Sequence, residues 1–282
     1  QSIPINDAGV QLAPFERPNE SCLAVTFGRS AIIPLTPAGR GVCCPDSNWS
    51  IQTTWILRGW RLVVKALKIE IFVLCMIVLI GLAVRSRRSL FSSTQQLLFS
   101  MLGYTSAAYI LFDMIWTLSD GVDGTLGIAA NWISNAVSFS LFAVACLIWF
   151  IYSETVQGSR LLTSRYRVVL VALPTALVVV LAFTSYWTHA LFYIDSQGVY
   201  RRGFAYMIQP IVSYCYVIHT SLHAFVQSRR VESLQTKAIY RTLAFFAIPA
   251  LVGGTFQVVY SVPGLCVGIM ISMLLLYIIY QE

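Results

Sequence analysis

The 282-residue chain is 57% hydrophobic and only 11% charged, with a formal net charge of +7 and a mean hydropathy of +0.72. That balance excludes a soluble domain, which must cover its own surface with hydrated side chains. The positive charge comes largely from arginines in short loops between apolar runs, so it calls for no nucleic-acid partner.

Residues 1–62 stand apart. They hold six of the ten prolines and three of the seven cysteines, with no sustained helix or strand period and no apolar stretch of a signal peptide. Composition therefore predicts a poorly ordered segment here. Two readings stay open: an extracellular extension, or a stretch upstream of the true start of the protein. The second is suggested by "VVKALKIEIFVLCMIVLIGLAV" from Val63, which reads like a complete membrane-protein start, and by Met76 being the first methionine. The sequons Asn19-Glu-Ser and Asn48-Trp-Ser are short matches of a kind that arises by chance.

From residue 63 onward the chain alternates apolar runs with short polar loops. The runs cover 63–84, 96–118, 127–153, 166–188, 204–227, 241–260 and 264–281, and at about 20 residues each they suit helices crossing roughly 30 Å of hydrocarbon. They are too long and unbroken for barrel strands, so the prediction is an all-α membrane protein, a bundle of seven transmembrane helices. The first, third and fifth loops carry ten arginines and lysines, among them Arg85, Arg160 and Arg229, against two in the even loops. By the positive-inside rule the N-terminus lies outside and the C-terminus in the cytoplasm. Cys75, Cys146, Cys215 and Cys266 are scattered singly over the helices, where a thiol serves as a small packing residue. No cofactor is expected.

The fourth loop, external by this count, reads "FYIDSQGVYRRG". Asp195 at the first turn position and Gly198 where φ must become positive predict a two-stranded β-hairpin between helices 4 and 5.

The stretches "LFYIDSQGVYRRGFAYMIQPIVSYCY" (191–216) and "FFAIPALVGGTFQVVYSVPGLCVGIMISMLLLYIIYQ" (245–281) resemble the seven-helix sensor module at the N-terminus of many bacterial diguanylate cyclases, the GGDEF proteins. The likeness spans about residues 63–282 and is most specific in the hairpin, of the form Tyr-Ile-Asp-x-x-Gly-x-Tyr-x-Arg-Gly. The resemblance implies a bacterial inner-membrane sensor, a cyclic di-GMP-forming output continuing beyond Glu282, and a homodimer through that output. The chain itself contains no Gly-Gly-Asp/Glu-Glu-Phe loop, so no enzymatic activity is expected of it.

Ionisable groups inside hydrocarbon cost several kcal/mol and mark functional or packing positions. Asp113 lies in the outer third of helix 2, with Trp116 one turn on. On helix 3, Asn131, Ser134, Asn135 and Ser138 share one face near its outer start, and Tyr206, Gln209 and Ser213 do the same on helix 5. These residues, with Arg201 and Arg202 of the hairpin, form the candidate site for an unknown small-molecule ligand entering from outside. Two readings compete for the layer: a ligand pocket beneath the hairpin, in which Asp113 meets a cationic ligand group or one of the two arginines, and plain interhelical hydrogen bonding. The arginines can equally anchor in lipid headgroups. His219 and His223, four apart, have a metal-ligand spacing without a third ligand. Pro174, Pro210 and Pro249 offer either hinges or ordinary kinks.

Other seven-helix classes fit less well. No lysine follows Lys237 to form a retinal Schiff base, and "YSETVQGSR" and "IMISMLLLYIIY" lack the signatures of G-protein-coupled receptors. A small-molecule transporter is the alternative, although the two halves show no clear repeat.

Overall fold

The computed structural model describes residues 10–17, 20–27, 31–32, 48–86, 93–122, 124–196, 198–260 and 262–281. The chain divides into two compact units, Gln1–Gly59 and Trp60–Glu282. In the first, β1 (Val10–Arg17) pairs antiparallel with β2 (Glu20–Phe27), and β2 with β3 (Ala31–Ile32). This sheet lies where proline content and the lack of alternation predict no regular structure. Pro14 is compatible with it because β1 is an edge strand, and edges tolerate a residue without an N–H.

Eight helices follow among the described residues: α1 (Asn48–Ser86), α2 (Ser93–Ser119), α3 (Thr125–Val156), α4 (Arg165–Thr188), α5 (Ile208–Arg230), α6 (Leu234–Phe245), α7 (Ala247–Tyr260) and α8 (Gly264–Gln281). Five segments among the described residues are long and apolar enough to cross a membrane: Val63–Ser86, Thr94–Ser119, Thr125–Val156, Arg165–Thr188 and Leu234–Gln257. Gly264–Ile279 is apolar but shorter. The chain thus has the helices of a membrane protein; among the described residues five of the seven predicted runs meet that length and apolarity. The main difference is α5, where His219, His223, Gln209, Gln227 and several hydroxyls dilute the apolar surface.

The predicted helix over 241–260 is continuous in direction, with one turn residue inside the Leu234–Gln257 segment and helical dihedrals there. It starts earlier, at Leu234, and a single turn residue, Phe246, separates α6 from α7. Pro249 supplies the reason: it has no N–H for the carbonyl of Phe245, and its ring crowds that carbonyl. The Phe246 carbonyl accepts the Ser272 hydroxyl of α8 at 2.6 Å, and the Phe246 ring stacks on Trp149 of α3 with centroids 3.6 Å apart. By contrast, Pro210 sits in the first turn of α5, where a missing N–H leaves nothing unpaired, and α4 continues through Pro174.

Small residues set the helix spacing. Gly264 and Gly268 of α8 lie against Gly253 and Pro249 of α7, so closely that a Cβ on Gly268 would stand 2.3 Å from the Pro249 carbonyl oxygen. Gly103 of α2 meets Ala83 of α1 in the same way, beside a 2.9 Å hydrogen bond between Ser86 and Ser100. Close backbone approach of this kind is how helices associate where no hydrophobic effect drives them together. The main core, with Phe72, Leu79, Phe99, Ile110, Trp149, Tyr152 and Leu276, lies between α1, α2, α3 and α8.

The hairpin forms as the sequence predicts: β4 (Phe192–Ile194) pairs antiparallel with β5 (Tyr200–Arg202). Gly198 has φ 73°, its N–H donates to Asp195 O at 3.0 Å, and the Asp195 carboxylate accepts the Val199 N–H at 3.0 Å. Leu191 and Phe192 anchor it on Ala136 of α3 and Ala182 of α4.

Candidate functional site

The hairpin is fastened to the bundle by polar groups of the α2–α3 connection. Asp120, just past the end of α2, accepts the Tyr200 N–H at 3.1 Å and the Asn131 side-chain amide at 3.4 Å. Asn131 also donates to Gly198 O at 2.7 Å, and the Gly121 N–H reaches the same oxygen at 3.2 Å. The carbonyl of Asp120 accepts Lys65 Nζ of α1 at 3.3 Å. Only a glycine fits at 198 here, since a Cβ would lie 2.6 Å from the Val122 carbonyl oxygen.

The structure gathers some of the predicted site residues around this latch. Asn135 lies one turn below Asn131 and donates 2.8 Å hydrogen bonds to both its backbone and side-chain oxygens. This leaves the Asn131 amide aimed at the hairpin. Trp116 packs against Tyr200 with ring centroids 5.4 Å apart, and its indole N–H is buried without a hydrogen-bond partner among the described residues. Phe139 bridges Phe192 and Tyr206. Burial pushes the Tyr200 hydroxyl well above its ordinary range, with Tyr206 adding to the effect and Arg202 opposing it. It remains a neutral donor at any physiological pH.

Other predicted residues go elsewhere. Arg201 pairs with Asp195 across the hairpin at 3.3 Å and is half exposed. Arg202 lies over the Tyr206 ring, 4.9 Å from its centroid. Asp113 is buried and faces Cys266 of α8, whose thiol approaches Oδ2 at 4.0 Å, while Lys68 of α1 is the cation acting on it electrostatically. Gln209 and Ser213 are buried on α5, but among the described residues no hydrogen bond joins Asp113, Asn135 and Gln209. Asp123, the other acid of this loop, lies outside the described residues.

Sequence reasoning passed over Asp120, Lys65, Lys68 and Glu154. Asp120 was visible as one of two acids in a loop without arginine or lysine, but its partners stand 11 and 80 positions away. Glu154 completes the histidine pair of α5. It is fully buried, its Oε1 lies 2.9 Å from His223 Nδ1 and 3.9 Å from His219 Nδ1, and Oε2 has no hydrogen-bond partner among the described residues. Among the described residues no three His, Cys, Asp or Glu side chains are arranged to hold a metal ion.

A half-open pocket of about 60 Å³ lies between α2, α3, α5, α7 and α8. It is walled mainly by apolar side chains and does not include Asp113, Asn135 or Gln209. Compared with protein-family models, curated proteins and solved structures, the chain matches none.

Proposed function

We propose that the chain is a seven-helix membrane sensor module that detects a small molecule at its hairpin end and passes the signal through α8 to a cytoplasmic output domain. The observation that carries this reading is the unspent hydrogen-bonding capacity beneath the hairpin. The Trp116 N–H is buried and unpartnered beside Tyr200, on a lid held by side-chain hydrogen bonds that a ligand can compete for. Buried donors without partners cost about 1–3 kcal/mol each, and a ligand that accepts from Trp116 recovers that cost. Such a ligand acts by binding one packing of the hairpin and bundle more tightly than another.

The charge of the loops supports an external hairpin and a cytoplasmic C-terminus in a bacterial inner membrane. The resemblance to diguanylate cyclase sensor modules supports a cyclase output working as a dimer. A small-molecule transporter is the second reading, favoured by the buried polar side chains Asp113, Asn135 and Gln209 on three different helices.

The test is a thermal-shift screen of small polar metabolites on the chain in lipid nanodiscs, comparing wild type with Trp116→Phe and Asn131→Ala. The sensor reading expects at least one compound whose stabilisation is strongly reduced in both variants. It is overturned if every stabilising compound acts equally on all three proteins.

A further inference from the structure

We infer that the half-open pocket beside the α6–α7 turn is a binding site for a small, neutral, mainly apolar molecule carrying one hydrogen-bonding group. Three independent features converge there. The first is the space itself, about 60 Å³, where one buried water needs roughly 10–15 Å³ of the same kind of volume. That leaves room for a molecule of a few heavy atoms, well short of a drug-sized ligand.

The second is chemistry. No charged side chain lines the cavity, so an ion there would be left uncompensated in a low-dielectric site. Ser213 does line it, 1% exposed, and the one side-chain partner its hydroxyl has among the described residues is the weakly hydrogen-bonding thiol of Cys146. A thiol is a poor partner, so a buried hydroxyl that relies on one keeps hydrogen-bonding capacity for a molecule in the space next to it.

The third is the backbone. Phe246, the residue that separates α6 from α7, forms part of the wall together with Trp149, on which it stacks. Phe246 keeps helical dihedrals, but Pro249 one turn on cannot donate to the Phe245 carbonyl, and a carbonyl freed in this way inside a membrane helix is satisfied by a neighbouring group or a bound molecule. Occupancy would press on the Phe246–Trp149 stack and so on the angle between α6 and α7. The inference concerns occupancy of this cavity and stands whether or not the hairpin end detects a signal.

The test uses 1-butanol and the alkane with the same number of heavy atoms, n-pentane, on the full chain in nanodiscs with carbon-13 methyl-labelled methionine. Met273 lines the cavity, whereas Met101 and Met207 are exposed on the outside and report partition into lipid. Both probes are expected to shift the Met273 methyl signal saturably and the other two only linearly. Ser213→Ala is expected to weaken butanol about fivefold, the effect of one neutral hydrogen bond, and to leave pentane unchanged. Ala250→Leu, which fills the cavity, should abolish both. The inference is overturned if Met273 responds linearly like Met101 and Met207, or if Ser213→Ala leaves butanol binding unchanged or weakens both probes equally. Should Ala250→Leu fail to fold, the Ser213→Ala comparison decides alone.

Discussion

Replacing Gly198 by alanine should detach the hairpin without touching any side chain of the bundle. Two costs arise, and a control separates them. The backbone at 198 has φ 73°, and a left-handed conformation costs an alanine about 1–2 kcal/mol. The new Cβ would stand 2.6 Å from the Val122 carbonyl oxygen, a contact that only a shift of the hairpin relieves. That shift breaks the hydrogen bonds from Asn131 and Gly121 to Gly198 O, at 2.7 and 3.2 Å, worth about 1 kcal/mol each. The sum is about 3 kcal/mol against local opening, or roughly a 100-fold loss of protection.

Gly158→Ala is the control. It has φ 62° and nothing within 4 Å of the added Cβ, so it pays the conformational cost alone. Hydrogen exchange followed by mass spectrometry in nanodiscs should show the peptide around Tyr200 losing protection in Gly198→Ala, while Gly158→Ala leaves that peptide as in wild type. Equal protection of the Tyr200 peptide in both variants would refute the latch.

Three further outcomes follow from the packing. His223→Ala should destabilise the bundle more than Glu154→Leu, because it leaves the fully buried Glu154 only the looser His219 contact at 3.9 Å, a cost of at most about 3–5 kcal/mol, whereas Glu154→Leu leaves only partly exposed imidazoles; denaturation in mild detergent ranks the two. Ser272→Ala removes the hydroxyl that donates to the Phe246 carbonyl and should cost about 1 kcal/mol, seen as a lower Tm, with the loss of protection centred on residues 243–250. Gly268→Ala forces α8 off the Pro249 carbonyl and should cost about 1–3 kcal/mol as overpacking does, measured by the same denaturation.

The sequence made the long helices and the hairpin legible because both are local. Apolar runs of spanning length declare α1 to α4, and Asp195 and Gly198 at fixed offsets declare the turn. What stayed hidden depends on distance. The partner of His223 lies 69 positions earlier, and Asp120 reaches Tyr200 across 80. No periodicity reports such pairs. The turn at Phe246 was written locally in Pro249, but the hydroxyl that donates to its carbonyl comes from Ser272 of α8, 26 positions on. The spacing Gly264-x-x-x-Gly268 was a readable signal for the close α7–α8 contact. For α5, a count of apolar residues obscured how many polar groups the helix carries on its buried side, including Gln209, Ser213 and Thr220.

The claim beneath the sensor reading is that the polar residues of the hairpin end face the protein interior. Spin labels at positions 135 and 209, in a background with the seven native cysteines replaced, measure this directly through collision with oxygen, which concentrates in the lipid. Both labels should show low oxygen accessibility, far below that of a label at Leu177, which is 49% exposed on α4. Accessibility at 135 and 209 equal to that at 177 would contradict it.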